Sequence, residues 1–391
     1  CKDVKLEVVA MENNETKCVK DEQIYKHPSQ NSKLYKITTE TGREIEISEN
    51  HSLIVLSDNL KAKTASISQL KGNEMVPVTR KIPLINSNVQ IIDILDYING
   101  KDFYLEGDLV YIKNNSSNWK IQNQLKRFIR LNDDFAYFLG LYRAEGCTYK
   151  LGIVLTNSDS KVMEKIKDFL KQLGLYNNQK INKNSLRIYC KSLVRFLNQV
   201  TGTPLNFKGK GRSCRIKRVP NFLFECNEKV IGSFLAGCFD GDGYISEKEI
   251  SYCSTSEQLA GGIIKLLEML DFDFYLNRKN KAFIITIPAS QANKFKENVV
   301  LVNTKKTERL NRLIENHNKK ETHPQFKNNL FISDDLSKQI KANHDKILEK
   351  QIVEVYFCPI CDNKIGKTSY YQNKLRFYCR NCRRAFYQDA I

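Results

Sequence analysis

In KLYKITTETGREIEISENHSLIVL, residues 33–56, apolar and polar positions alternate on both sides of Thr41-Gly42. That period of two predicts a half-buried β-hairpin. KIPLIN (81–86) and VQIIDIL (89–95) keep the same texture, so residues 1–110 are expected to form a β-rich domain. Residues 100–130 are polar and ambiguous. From Asn132 the texture changes: NDDFAYFLGLYRAEG has an acidic N-terminus and predicts a helix running to Gly146. LGIVLTNS follows as a strand, SKVMEKIKDFLKQLG as an amphipathic helix closed by its glycine, SLRIYC as a strand and KSLVRFLNQVTG as a helix. The order returns in EKVIGSFLAGCFDGDG (helix), EISYCSTS (strand), EQLAGGIIKLLEMLDF (helix), KAFIITIP (strand) and ASQANKFKENV (helix). The expected fold class is α+β, with one αββαββα module repeated over 132–201 and 217–300 inside a core of residues 132–315. A duplicated module makes a pseudo-dimer in a single chain, so a monomer is expected, and its two-fold symmetry matches duplex DNA.

The helices that open the two repeats share a second pattern. Ala136, Gly140 and Ala144 in one, and Ser233, Gly237 and Gly241 in the other, are small residues spaced i, i+4, i+8. Each set forms one smooth stripe on one helix face and permits close approach of two backbones. Glycine costs up to about 1 kcal/mol per helical site relative to alanine, so these glycines need a partner helix to explain them. An acid and a glycine follow each stripe, Glu145-Gly146 and Asp242-Gly243. If the stripes meet, the carboxylates converge at helix C-termini, where the macrodipole and their mutual repulsion disfavour negative charge. A divalent cation relieves both penalties, and hard carboxylate oxygens suit Mg²⁺.

Charge and cysteine usage add a partner and a second metal. The chain has 391 residues with 62 Lys+Arg against 44 Asp+Glu, a formal net charge of +18, which favours a polyanionic partner. KGKGRSCRIKR places Lys208, Lys210, Arg212, Arg215 and Arg218 around Lys217 as candidate phosphate contacts. Apolar runs such as Ala282–Pro288 are too short to span a membrane, and the charged first 30 residues lack a secretory core. Cys358, Cys361, Cys379 and Cys382 form C-x2-C-x17-C-x2-C. Two such knuckles supply a closed tetrahedral Zn²⁺ site, a structural one, that a segment this short needs in order to fold. Together with the irregular spacing of the other eight cysteines, this points to a reducing compartment, cytoplasm or nucleus. Arg380, Arg383 and Arg384 beside the knuckles suit phosphate contacts, and protein docking is the rival use.

FLGLYRAEG (Phe138–Gly146) and LAGCFDGDG (Leu235–Gly243) resemble the two signature motifs of the LAGLIDADG homing endonucleases. IKRVPNFLF, ahead of the second motif, resembles the lysine-plus-proline block of that family's intein-encoded branch. The resemblance implies Mg²⁺-dependent double-strand cleavage at a long asymmetric DNA site, each repeat's sheet forming a saddle over the major groove. It implies that Glu145 and Asp242 hold metal and that Lys217 assists near the scissile phosphate. Lys305 and Lys306 in VNTKKTERL resemble the second lysine site, with no sequence ground for choosing between them. The first motif departs from the pattern: Glu145 stands where aspartate is usual, and Arg143 where a small or acidic residue is common. The extra methylene displaces a carboxylate by about 1 Å, a shift to which catalytic geometry is sensitive.

GREIEISENHSLIVL resembles the histidine block of the Hint, or intein splicing, domain. The resemblance implies that His51 polarises the amide before a first cysteine, that Ser48 supplies the accompanying hydroxyl, and that Cys1 is the acyl-shift nucleophile. KDVKLEVVA after Cys1 does not resemble the usual opening of that fold, and the end, FYQDAI, lacks the asparagine that splicing requires. Complete splicing of the chain as it stands is therefore not expected. Residues 316–350 are expected to be a linker or a Hint remnant and 351–391 a zinc ribbon; DKILEKQIVEVYF is a candidate returning Hint strand. The expected activity is a DNA endonuclease, with a self-processing intein and a cleavage-dead DNA-binding protein as alternatives.

Overall fold

A computed structural model describes most of residues 2–320 and 351–387; residues 1, 13–14, 25–32, 40, 57–61, 73, 77, 79–80, 85–90, 99–102, 113–123, 150–151, 176–178, 183, 203–212, 321–350, 358–363, 372–373, 380–383 and 388–391 lie outside the description. The chain divides into two compact units, one made of 1–6, 20–78 and 326–391, the other of 7–19 and 79–325. Strands Lys2–Glu12 and Glu15–Ile24 pair with each other.

In the first unit, strands Leu34–Thr38 and Glu44–Ser48 form the hairpin expected around Gly42. Gly42 has φ 83°, a left-handed conformation that glycine adopts at no steric cost. Ile37 and Ile47, inward positions of the alternating pattern, are buried together with Ile67. Strand Gln351–Phe357 returns from the far end of the sequence to pair antiparallel with Leu34–Thr38, Gln351 opposite Thr38 and Val355 opposite Leu34. The sheet continues through Lys364–Tyr371, Lys374–Cys379 and Arg384–Tyr387 to six strands.

The second unit contains both repeats. The first runs α1 (Asp133–Glu145), β1 (Gly146–Tyr149), β2 (Gly152–Thr156), α2 (Ser160–Gln172), β3 (Gln179–Asn182), β4 (Ser185–Ile188) and α3 (Lys191–Thr201). The second runs α4 (Glu228–Asp242), β5 (Gly243–Ile245), β6 (Glu249–Ser254), α5 (Glu257–Met269), β7 (Tyr275–Lys279), β8 (Ala282–Pro288) and the short α6 (Ala292–Asn298). Helix α7 (Thr304–Lys320) follows. The order αββαββα occurs twice, and the sheets match, β1-β2-β4-β3 and β5-β6-β8-β7. Side-chain caps start the helices: Asn132 accepts from Phe135 N, Asn227 from Val230 N and Ser256 from Leu259 N. The apolar faces of both sheets and helices merge into one core that includes Ile153, Leu186, Ile250 and Ile285. Ile92, Ile94, Val110 and Leu125 belong to this same core, so these residues pack with the repeats although the period of two assigns those up to 110 to the β domain. No described helix is long and apolar enough to cross a membrane.

Candidate active site

Helices α1 and α4 meet backbone to backbone along the two small stripes. A Cβ placed on Gly140 would lie 2.0 Å from Phe234 O, and one on Gly237 would lie 2.2 Å from Tyr137 O. At Gly241 a Cβ would sit 2.3 Å from Ala144 Cβ and 2.9 Å from Glu145 Cγ. The Glu145 stem therefore lies over the last turn of α4, beside Asp242, and the two acids converge at one end of the helix pair. Gly146 and Gly243 have φ of −84° and −71°, which any residue adopts. Glycine is needed there because a Cβ would fall 2.4 Å from Tyr142 O and 2.5 Å from Phe239 O. Each chain thus turns from helix end straight into strand, carrying its acid to the rim.

Both carboxyls titrate above the ordinary range. Glu145 is half-buried; burial raises its pKa most and the Asp242 charge adds to it, while Lys306, Asn157 and Lys217 oppose. Asp242 reaches solvent, but the protein packed behind it strips hydration and raises its pKa, against the pull of Lys217 and Lys306. Asn157, at the end of β2, steadies Glu145 through Nδ2–H to Oε1 at 3.2 Å.

Each helix end also receives a lysine. Lys217 Nζ donates to the carbonyls of Arg143 (2.5 Å) and Ala144 (3.3 Å). Lys306 Nζ donates to those of Phe239 (2.8 Å), Asp240 (2.8 Å) and Gly241 (2.7 Å). Terminal helix carbonyls lack intrahelical partners and attract cations. Burial lowers the pKa of both lysines; Arg143 lowers Lys217 further, whereas Asp240, Glu145 and Asp242 hold Lys306 up. Lys305 is exposed and it is Lys306 that binds these carbonyls, so Lys306 is the counterpart of Lys217. An ammonium has three N–H donors; Lys306 spends all three on the helix, and Lys217 keeps one.

Three features of the site have roles that the sequence reading does not assign, although it marks Arg143 as a departure from the motif. Asp240 is 1% exposed and accepts from Tyr137 Oη (2.7 Å), Val302 N (2.7 Å) and Asn303 N (3.1 Å). Arg143 is equally buried; its Nη1 donates to Thr201 O at 3.1 Å and its guanidinium lies 4.7 Å over the Tyr142 ring. Asn157 is the third. The only sequence signal was a charged residue one turn past each central glycine, on a face that otherwise reads as core.

The remaining candidates scatter. Arg215 is exposed, and Arg218 is half-buried with Nη2 bound to Gln199 O at 2.7 Å. In the first unit His51 follows Ser48 closely, its backbone N–H donating to Ser48 O at 3.0 Å. Cys1, Lys208, Lys210, Arg212, Cys358, Cys361, Arg380, Cys382 and Arg383 lie outside the described residues, and only the backbone is described at Cys379 and Arg384, in adjacent paired strands.

Two carboxylates with raised pKa values, with backbone carbonyls alongside, are oxygen donors of the kind a hard divalent cation takes, although no group of three or more His, Cys, Asp or Glu gathers as metal ligands among the described residues. Comparison with known proteins gives the chain its relatives. It is 32% identical over 331 residues to DNA-directed RNA polymerase subunit Rpo1C of Methanocaldococcus jannaschii, covering 82% of this chain and 36% of that protein. It is 26% identical to a probable translation initiation factor IF-2 of the same organism, covering 48% of this chain and 17% of that protein. The chain thus spans about a third or less of these relatives' length. Among solved structures, I-DmoI in complex with DNA and Mn superposes with TM-score 0.35 and 14% identity, over 44% of this chain and 97% of that one. The intein splicing domain family matches residues 2–365, and the chain belongs to that family.

Proposed function

We propose that this chain is an intein-associated, LAGLIDADG-type DNA endonuclease that makes Mg²⁺-dependent double-strand breaks in duplex DNA. The observation that carries the proposal is the convergence of Glu145 and Asp242 at the ends of two touching helices, each end capped by a lysine. Its matches run through segments of proteins with unrelated tasks, an RNA polymerase subunit and a translation initiation factor, which an inserted element explains.

Glu145 and Asp242 would hold Mg²⁺, which when bound supplies Lewis-acid stabilisation of the phosphodiester and lowers the pKa of water. The chain's own residues do the rest. Asn157 fixes the Glu145 rotamer. Lys217 gives two N–H groups to helix carbonyls, and its third would donate to a scissile phosphate oxygen or the attacking water. Lys306 holds the last turn of α4 and so places Asp242. Water attacks phosphorus in line and loses a proton to solvent, the P–O bond to the leaving oxygen breaks, and a proton from solvent reaches that oxygen. Cys358, Cys361, Cys379 and Cys382 are proposed to bind one structural Zn²⁺, and the basic residues from Lys208 to Arg218 to meet flanking phosphates.

The test is cleavage selection from a randomised duplex library with Mg²⁺, beside Asp242→Asn. Enrichment of one cut site that the variant does not cut is expected; no enriched site, or equal cutting by the variant, sinks the proposal. Metal analysis of the purified chain should find one Zn²⁺, lost when the four tail cysteines are replaced.

A second reading, protein splicing, is favoured by the strand Gln351–Phe357 that closes the N-terminal hairpin and by the family match across 2–365. Expression between two reporter domains checks it: ligated reporters support splicing, and an intact fusion rejects it.

A further inference from the structure

The solvent faces of the two repeat sheets differ in chemistry at matching positions. β1 and β5 begin directly after Glu145 and Asp242, so each face continues from the candidate site. Gly146 pairs with Leu155 and Gly243 with Tyr252, which sets the two sheets in the same register. The row that crosses all four strands next to the acids is Cys147, Val154, Arg187 and Lys180 in the first sheet. In the second it is Tyr244, Ser251, Thr286 and Tyr275. The strand neighbours Leu186, Ile188, Ile285 and Ile287 are buried, and a period of two then turns Arg187 and Thr286 outward.

Arg187 is exposed and pairs with no carboxylate among the described residues. Its equivalent in the second sheet is the uncharged Thr286, and the equivalent of Lys180 is Tyr275. Tyr244 and Tyr275 are 58% and 55% exposed, on the two edge strands of the second sheet. A guanidinium fork matches the O6 and N7 acceptors of guanine in the major groove, while a threonine methyl or an aromatic ring makes apolar contact with the thymine methyl.

We propose that the two sheets read unlike half-sites: the first selects guanine through Arg187, and the second an A·T-rich arm through Tyr244, Thr286 and Tyr275. This rests on the DNA reading above. Position 187/286 sets the difference, because it is the same sheet position with and without a cation.

The test is sequencing of duplexes retained by the full chain from a randomised library without divalent metal, so that binding is read independently of cutting. One arm should carry a guanine and the other be A·T-rich. Arg187→Ala should lower the guanine preference by roughly 10- to 100-fold in that arm alone, and Thr286→Arg should create a guanine preference in the other. Circular dichroism establishes that both variants are folded, and a variant that is not is replaced by Arg187→Gln or Thr286→Lys. Retained duplexes with arms of like composition, or an Arg187→Ala profile equal to wild type, overturn the half-site proposal while leaving DNA binding intact. Retention of no duplex overturns both.

Discussion

Arg143 and Asp240 stand at equivalent places in α1 and α4, three residues after the central glycine and two before the acid, and carry opposite charges. Both are 1% exposed. Each is answered chiefly by main-chain dipoles. Arg143 donates to Thr201 O, at the carbonyl end of α3. Asp240 accepts from Val302 and Asn303 N–H, just ahead of α7. A helix C-terminus offers carbonyls and an N-terminus offers N–H groups, so the sign of the buried charge follows the helix end it meets. The comparison teaches that a departure from motif symmetry at Arg143 reflects what packs behind the first repeat. The lysines diverge likewise: Lys306 is saturated by three carbonyls, whereas Lys217 caps two and keeps one N–H.

The largest expected effect falls on the acids. Asp242→Asn should reduce cleavage by about 10³-fold, roughly 4 kcal/mol of transition-state stabilisation, read from initial rates on a target plasmid. If Glu145→Gln costs much less, the repeats do not share the chemistry equally. Next come the helix contacts. Gly237→Ala drives a methyl into Tyr137 O and should cost about 3 kcal/mol by urea unfolding. Asp240→Asn should cost about 2–3 kcal/mol, because an amide cannot accept all three of its donors, and Arg143→Met about 1 kcal/mol, because Arg218 N still serves Thr201 O. Equal losses would break the comparison between the two buried charges. Lys306→Met should destabilise the fold by about 1–2 kcal/mol, more than Lys217→Met, while Lys217→Met takes the larger share of activity in metal-saturated kinetics.

The smallest effect is in pH. Glu145 and Asp242 have raised folded pKa values, so the folded state binds more protons than the unfolded chain between the ordinary carboxylate range and the raised one. Stability from these groups is complete below the unfolded values and is lost as pH rises through the folded ones. Chelator-treated wild type should therefore lose ground to Asp242→Asn as pH rises from 4 toward 7 in unfolding titrations. A constant difference across that range would place the raised pKa values elsewhere.

Much of this was legible in the sequence, for reasons that differ by element. The helices of both repeats and the hairpin at Gly42 follow from period and capping, since burying one face requires that spacing whatever lies opposite. The stripes Ala136-Gly140-Ala144 and Ser233-Gly237-Gly241 announced a helix contact because glycine in a helix needs a neighbour to explain it. Lys306 over Lys305 was not legible: adjacent lysines have the same composition, and only the start of α7 at Thr304 decides which one faces the carbonyls of α4. Asn157 and the partners of Asp240 were hidden likewise, because they join residues up to 103 positions apart.

The sequence by itself determined the repeated elements, the facing small stripes and the two acids that end them, because each is set by local spacing and residue size. Only the tertiary structure decided which lysine caps α4, why the buried charge changes sign between repeats, and that Gln351–Phe357, a returning-strand candidate in the sequence, pairs with Leu34–Thr38. Those depend on which donors and acceptors distant segments bring together, and a chain records that only once it is folded.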